Sequence, residues 1–121
     1  ALQGESQEGL SPAVVARFIG EKGVGSHRMG WDGVSPGGSA GPLWPANGFG
    51  HLAFTGCSIW VAPDSDCLAV LLTNRVHPEI EGGAVPDAPM HPRYRAFRAL
   101  RKTVHSAIAT ALGLAEGTPT G

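Results

Sequence analysis

The sequence predicts an α/β protein of the α+β type: an antiparallel β-sheet with a carboxyl-terminal helix packed on it. Three observations carry that reading. Residues 49–74 hold three short apolar runs, the last two joined by the tight sequence Pro63-Asp64-Ser65-Asp66. Residues Arg93 to Leu112 repeat apolar side chains at helical spacing. The chain has 121 residues, enough for one compact domain and not comfortably for two.

The elements follow in order. Ser11 before Pro12 is a hydroxyl N-cap followed by proline at the first helical position. Val14, Val15, Phe18 and Ile19 supply an apolar face and Gly20 a stop, so a short helix spans Pro12 to Ile19. Ser26 to Asp32 reads as a short strand carrying Met29 and Trp31. Residues 33–48, crowded with Gly, Pro, Ser and Asn, read as a loop.

Phe49–Thr55, Cys57–Ala62 and Cys67–Asn74 are the three central strands, and the last two form an antiparallel hairpin. Almost every residue from Cys67 to Thr73 is apolar, which predicts burial on both faces, and Ile59, Trp60 and Val61 have the same character. A second loop runs from His77 to Pro92. The helix from Arg93 to Leu112 ends at Gly113, with Phe97, Leu100, Val104, Ile108, Ala111 and Leu112 near one stripe. Arg93, Arg95, Arg98, Arg101 and Lys102 fall mostly on its other faces, and the tail beyond Leu114 reads as frayed.

A sheet buried on both sides needs a layer on each. One long helix and one of about two turns cover one face well and the other poorly. The expected remedy is an upstream segment, another chain or oligomerisation. Charged residues make up only 16% of the chain, where about a quarter is usual, which also suggests a covered surface. The start at Ala1, Leu2, Gln3 and Gly4 reads as the continuation of something longer.

Several function classes lose support at this level. Net charge is −1, so no global field favours nucleic acid or an anionic membrane. The basic cluster from Arg93 to Lys102 reads mainly as a solvated helix face in a chain without net positive charge. No apolar run approaches the roughly 20 residues of a membrane-spanning helix. The histidines form no His-x-x-x-His pair and the cysteines no Cys-x-x-Cys, so a zinc site built from local pairs has no support; nor does the leading reading below imply a metal or organic cofactor. His27, His91 and His105 read as structural. Gly37-Gly38-Ser39-Ala40-Gly41 matches the nucleophile-elbow pattern, but prolines at 36, 42 and 45 deny it the flanking strand and helix. With Pro63 to Asp66 as the turn, Cys57 and Cys67 are offset by five residues, roughly 17 Å along a strand. A disulfide tolerates about 7 Å between Cα atoms, so both read as buried free thiols.

The segment with a functional signal is Gly50-His51-Leu52-Ala53-Phe54-Thr55-Gly56, followed by a strand ending Ala62-Pro63 and by Leu71-Leu72-Thr73-Asn74-Arg75-Val76-His77-Pro78. In order and spacing it resembles the end of β-lactamase-related serine hydrolases of the class C and penicillin-binding-protein-like type. Leu10-Ser11-Pro12, the helix reaching Phe18, and Gly30-Trp31-Asp32 look like further landmarks, so the resemblance spans about residues 9–112. It implies that residues 1–121 are the carboxyl-terminal segment of a β-lactamase/transpeptidase-like fold. The parent would open ester, amide or β-lactam-like bonds through an acyl-enzyme.

Such enzymes use a Ser-x-x-Lys nucleophile, a Tyr-x-Asn element and a Lys-Thr-Gly or His-Thr-Gly strand. By resemblance His51 takes the Lys/His position, supplying a donor or positive charge, and the Phe54 backbone N–H is one oxyanion donor. Leu52, Ala53 and Thr55 occupy substrate-binding positions. Leu52 stands where Thr is usual and Ala53 where Gly is usual, which argues against an efficient β-lactamase and leaves an esterase, an amidase or a degenerate enzyme open. Neither Ser-x-x-Lys nor Tyr-x-Asn occurs, Tyr94 being the only tyrosine. The chain is therefore expected to be inactive alone, with the upstream segment of the same domain as its partner and a small ester, amide or peptide-like molecule as the parent's substrate. Relatives are commonly exported, which makes a periplasmic or extracellular location the family expectation. The competing reading is a non-catalytic binding or assembly module that uses an exposed sheet face.

Overall fold

The structure, a computed structural model, describes residues 8–20, 23–76 and 92–114, the side chains of 92–94 excepted. The loop expected from His77 lies outside these residues up to His91, as does the tail beyond Leu114. The described elements are helix α1 (Pro12–Gly20), strands β1 (Asp32–Gly33), β2 (Phe49–Leu52), β3 (Ser58–Ala62) and β4 (Cys67–Leu71), and helix α2 (Pro92–Ala111). The strands form one antiparallel sheet in the order β1-β2-β3-β4. The expected α+β class, a sheet with a terminal helix, is what the chain adopts.

Ser11 caps α1 as expected, its hydroxyl accepting from the Val14 N–H at 3.3 Å. No residue of α1 is buried, and Val14 and Phe18 stay exposed. The expected strand from Ser26 to Asp32 is instead a fold-back. His27 bridges to Asp32, the Arg28 N–H donates to the Trp31 carbonyl at 2.8 Å, and Gly30 takes a positive φ of 80°. A glycine free to enter the left-handed region reverses the chain where a strand would have run straight on.

The three central strands are shorter than expected. β2 stops at Leu52 because Ala53 pairs with Cys57 and Gly56, at φ 94°, closes a tight turn through Phe54 and Thr55. Thr55 therefore lies in the turn and not on the strand. Pro63–Ser65 makes a single 3-10 turn with Asp66 left-handed, delivering the expected hairpin between β3 and β4.

Cross-strand partners share a face of the sheet. On one face Trp60 lies between Gly50 and Ala69, and Ser58 between Leu52 and Leu71. This face receives α2 and the loop after β1, giving a core of Ala40, Trp44, Trp60, Ala62, Ala69, Ala109 and Leu114. Gly50 makes room for the large indole: a Cβ there would sit 2.6 Å from the Trp60 ring.

The other face carries His51, Ile59 and Val70 in one row and Phe49, Val61 and Leu68 in the next. Phe49 is covered by Trp31, edge-on at 5.1 Å. Toward β4 the cover ends, leaving Leu68 60%, Val70 52% and Leu72 78% exposed. Burial of β4 on both faces is thus not met by the described residues: the inner face has α2, and nothing described lies over the outer one.

Helix α2 is turned relative to the expected stripe. Its buried positions are Arg101, His105 and Ala109, while Leu100 and Leu112 are exposed. Arg101 lies against Phe97, its guanidinium carbon 5.3 Å from the ring centroid. His105 is held by two polar partners, Ser58 and Ser39. Specific partners thus draw an arginine and a histidine inward, which a count of apolar residues ranks among the outward positions. The free-thiol reading holds for Cys57 and Cys67, although both are half-buried rather than buried.

Candidate functional site

The outer face of the sheet places His51 at an open cleft of about 410 Å3, lined by His27, Arg28, Gly30, Trp31, Asp32, His51 and Leu52. The wall opposite β2 is the fold-back through Gly30. Arg28 anchors it, its guanidinium donating to the Ile19 carbonyl at the end of α1. Gly33 lets that side chain pass: a Cβ there would lie 2.9 Å from the Arg28 Nε.

His51 is exposed, and its Nδ1 lies 2.8 Å from the Leu52 carbonyl oxygen. A carbonyl only accepts, so Nδ1 carries the proton and Nε2 is left as the free acceptor of the neutral ring. A protonated His51 would present a donor at the same atom. Asp32 adds a carboxylate whose buried Oδ1 has no hydrogen-bond partner among the described residues. The cleft therefore combines two imidazoles, a guanidinium and a carboxylate. Among the described residues no group of three His, Cys, Asp or Glu side chains could hold a metal ion.

Phe54 opens the turn that follows β2. Its N–H makes no hydrogen bond within the described residues, whereas its carbonyl accepts from the Arg75 Nε at 2.6 Å. The Arg75 guanidinium also stands over the Phe54 ring, 5.2 Å from its centroid. Thr55 is engaged inside the fold: its carbonyl accepts from the Arg75 N–H at 2.8 Å and from the Thr73 hydroxyl at 3.2 Å. Its own hydroxyl lies 3.5 Å from the Cys57 sulfur. Hydrogen bonds from Thr55 first, and then from the Thr73 backbone, hold the Cys57 thiol below its usual pKa. On the other side the Gly56 turn meets α2, where a Cβ at Gly56 would lie 2.5 Å from the Phe97 ring.

Of the residues singled out in the sequence, His51 and Leu52 line the cleft, while Ala53, Phe54 and Thr55 lie beyond it in the turn. The structure adds His27, Arg28 and Asp32 to His51. Reading Ser26 to Asp32 as a strand scatters these side chains over two faces. The signal that could have gathered them is Gly30, placed to reverse the chain.

Comparison with protein-family models, with curated proteins and with solved structures found nothing that matches this chain. Among the described residues no helix is long and apolar enough to cross a membrane.

Proposed function

We propose that the chain is the carboxyl-terminal part of a serine hydrolase of the β-lactamase-related type, acting on ester, amide or β-lactam-like bonds through an acyl-enzyme. The observation that carries this reading is the position of His51. It stands exposed on a central strand at the open cleft, one turn before a backbone N–H, and among the described residues neither its Nε2 nor that N–H has a hydrogen-bond partner. In such a site the imidazole would hold or pass a proton beside the attacked carbonyl, and the Phe54 N–H would bind the developing oxyanion. The nucleophile, its lysine and the catalytic tyrosine would come from the upstream segment, which would close the cleft and cover the outer face. Without them residues 1–121 are inactive, since little catalysis survives loss of the nucleophile. Leu52 and Ala53, in place of Thr and Gly, favour ester or amide substrates over β-lactams.

The test is labelling with a fluorophosphonate probe. The parent protein bearing Ser-x-x-Lys and Tyr-x-Asn is expected to be acylated, and residues 1–121 alone to stay unlabelled. A coding region immediately upstream with neither motif would sink the proposal and favour a binding module built on the exposed sheet face.

A further inference from the structure

The turn that carries the Phe54 N–H is held by the chain leaving β4. Ser58 of β3 pairs with Leu71 of β4, and two residues beyond that pair stand Gly56 and Thr73. The segment after β4 therefore runs past the turn at 53–56, and a Cβ on Gly56 would lie 2.7 Å from the Thr73 hydroxyl. That hydroxyl and the Arg75 N–H both donate to the Thr55 carbonyl, at 3.2 Å and 2.8 Å. One side chain reaches further. Arg75 donates from Nε to the Phe54 carbonyl at 2.6 Å and lays its guanidinium over the Phe54 ring.

These bonds fix a direction. A peptide unit is planar, so the Phe54 N–H turns only together with the Ala53 carbonyl. That carbonyl accepts from the Gly56 N–H at 2.9 Å. The plane on the other side of Phe54 carries the Phe54 carbonyl, which Arg75 holds. With both planes pinned, the N–H is aimed before any ligand arrives. A donor stabilises a developing oxyanion most when it needs no reorientation at the moment of reaction. Arginine suits the task because its planar guanidinium donates along its edge while its face lies on a ring, which the compact ammonium of lysine does not do. We infer that Arg75 is a positioning residue for the oxyanion donor: it touches no reacting atom and acts by holding the Phe54 backbone. The inference rests on the hydrolase reading of the Phe54 N–H.

Two measurements test it, one on residues 1–121 and one on the proposed parent hydrolase. In residues 1–121 the Phe54 amide order parameter, from nitrogen relaxation, is expected near the roughly 0.85 of rigid backbone. Arg75→Ala should lower it below about 0.6 and leave the values along β3 unchanged. In the parent, Arg75→Ala should slow fluorophosphonate labelling by about 10- to 10²-fold, up to the lower end of the loss seen when a donor is removed outright. The fraction finally labelled should stay that of the wild type, whereas a merely structural role would lower that fraction and leave the rate constant of the remainder. If Arg75→Ala does not fold, Arg75→Lys, which keeps the stem and charge but lacks the Nε–H, replaces it with the same expected directions. An unchanged rate constant or an unchanged order parameter overturns the inference and leaves the hydrolase reading standing, as does a loss confined to the labelled fraction. A wild-type parent that is never labelled sinks that reading, and this inference with it.

Discussion

The hydroxyl of Ser58 on β3 lies 2.9 Å from Nε2 of His105 on α2, a pair separated by 47 residues in the chain and closed away from solvent. The other ring nitrogen, Nδ1, is 2.7 Å from the Ser39 carbonyl. Since that oxygen only accepts, Nδ1 carries the proton and Nε2 accepts from Ser58. One neutral imidazole thus ties the sheet, the terminal helix and the loop after β1 together.

Ser58→Ala leaves a buried ring nitrogen without its donor, which costs roughly 1–3 kcal/mol. Urea unfolding should show a lower midpoint with the slope retained. An unchanged midpoint would mean that the pair contributes nothing to stability.

Burial pushes the His105 pKa down, Arg101 adds to that, and the bond to the Ser39 carbonyl only partly opposes them. The unfolded chain therefore binds a proton at His105 from about pH 6.5 downward while the folded chain still does not. Stability is full above that pH and falls as the pH drops toward the lowered folded value, by at most about 1.4 kcal/mol per pH unit for this one group. His105→Gln should flatten the loss between pH 6.5 and 5, read from unfolding midpoints across that range. An equally steep loss in the variant would assign the acid sensitivity elsewhere.

Gly50→Ala forces a methyl group against the Trp60 ring and the backbone of β3. The expected cost is about 1–3 kcal/mol, the range for overpacking a filled core. Tryptophan fluorescence should shift to the red as the indole is displaced. Wild-type stability and emission in this variant would contradict the packing described.

Cys57 and Cys67 are both half-buried, and hydrogen bonds from Thr55 and the Thr73 backbone hold the Cys57 thiol pKa down. At pH 7 Cys57 should be the faster to react with iodoacetamide, because the thiolate is the nucleophile. Peptide mapping by mass spectrometry resolves the two rates, and preferential labelling of Cys67 would refute the assignment.

His51 is exposed, and among the described residues its ring bonds only to the carbonyl of its neighbour Leu52. His51→Ala should therefore change the stability of residues 1–121 by no more than about 0.5 kcal/mol. In the proposed parent hydrolase the same substitution should lower the rate of fluorophosphonate labelling by about 10²–10⁴-fold, the range for a positioned acid or base. A large loss of stability would make His51 a structural residue; an unchanged labelling rate would remove it from the site.

The sequence by itself determined the local elements: the Ser11-Pro12 helix start, the Pro63–Asp66 hairpin, the long second helix and the antiparallel sheet. Each of these follows from backbone chemistry or periodicity within a few residues. Tertiary contact alone decided which way α2 faces, because Arg101 and His105 are drawn inward by Phe97, Ser58 and Ser39, residues that apolar periodicity cannot weigh. It also decided that His27, Arg28 and Asp32 meet His51. The reversal at Gly30 brings a distant stretch of chain to β2, and side chains converge there only because the two backbones pair.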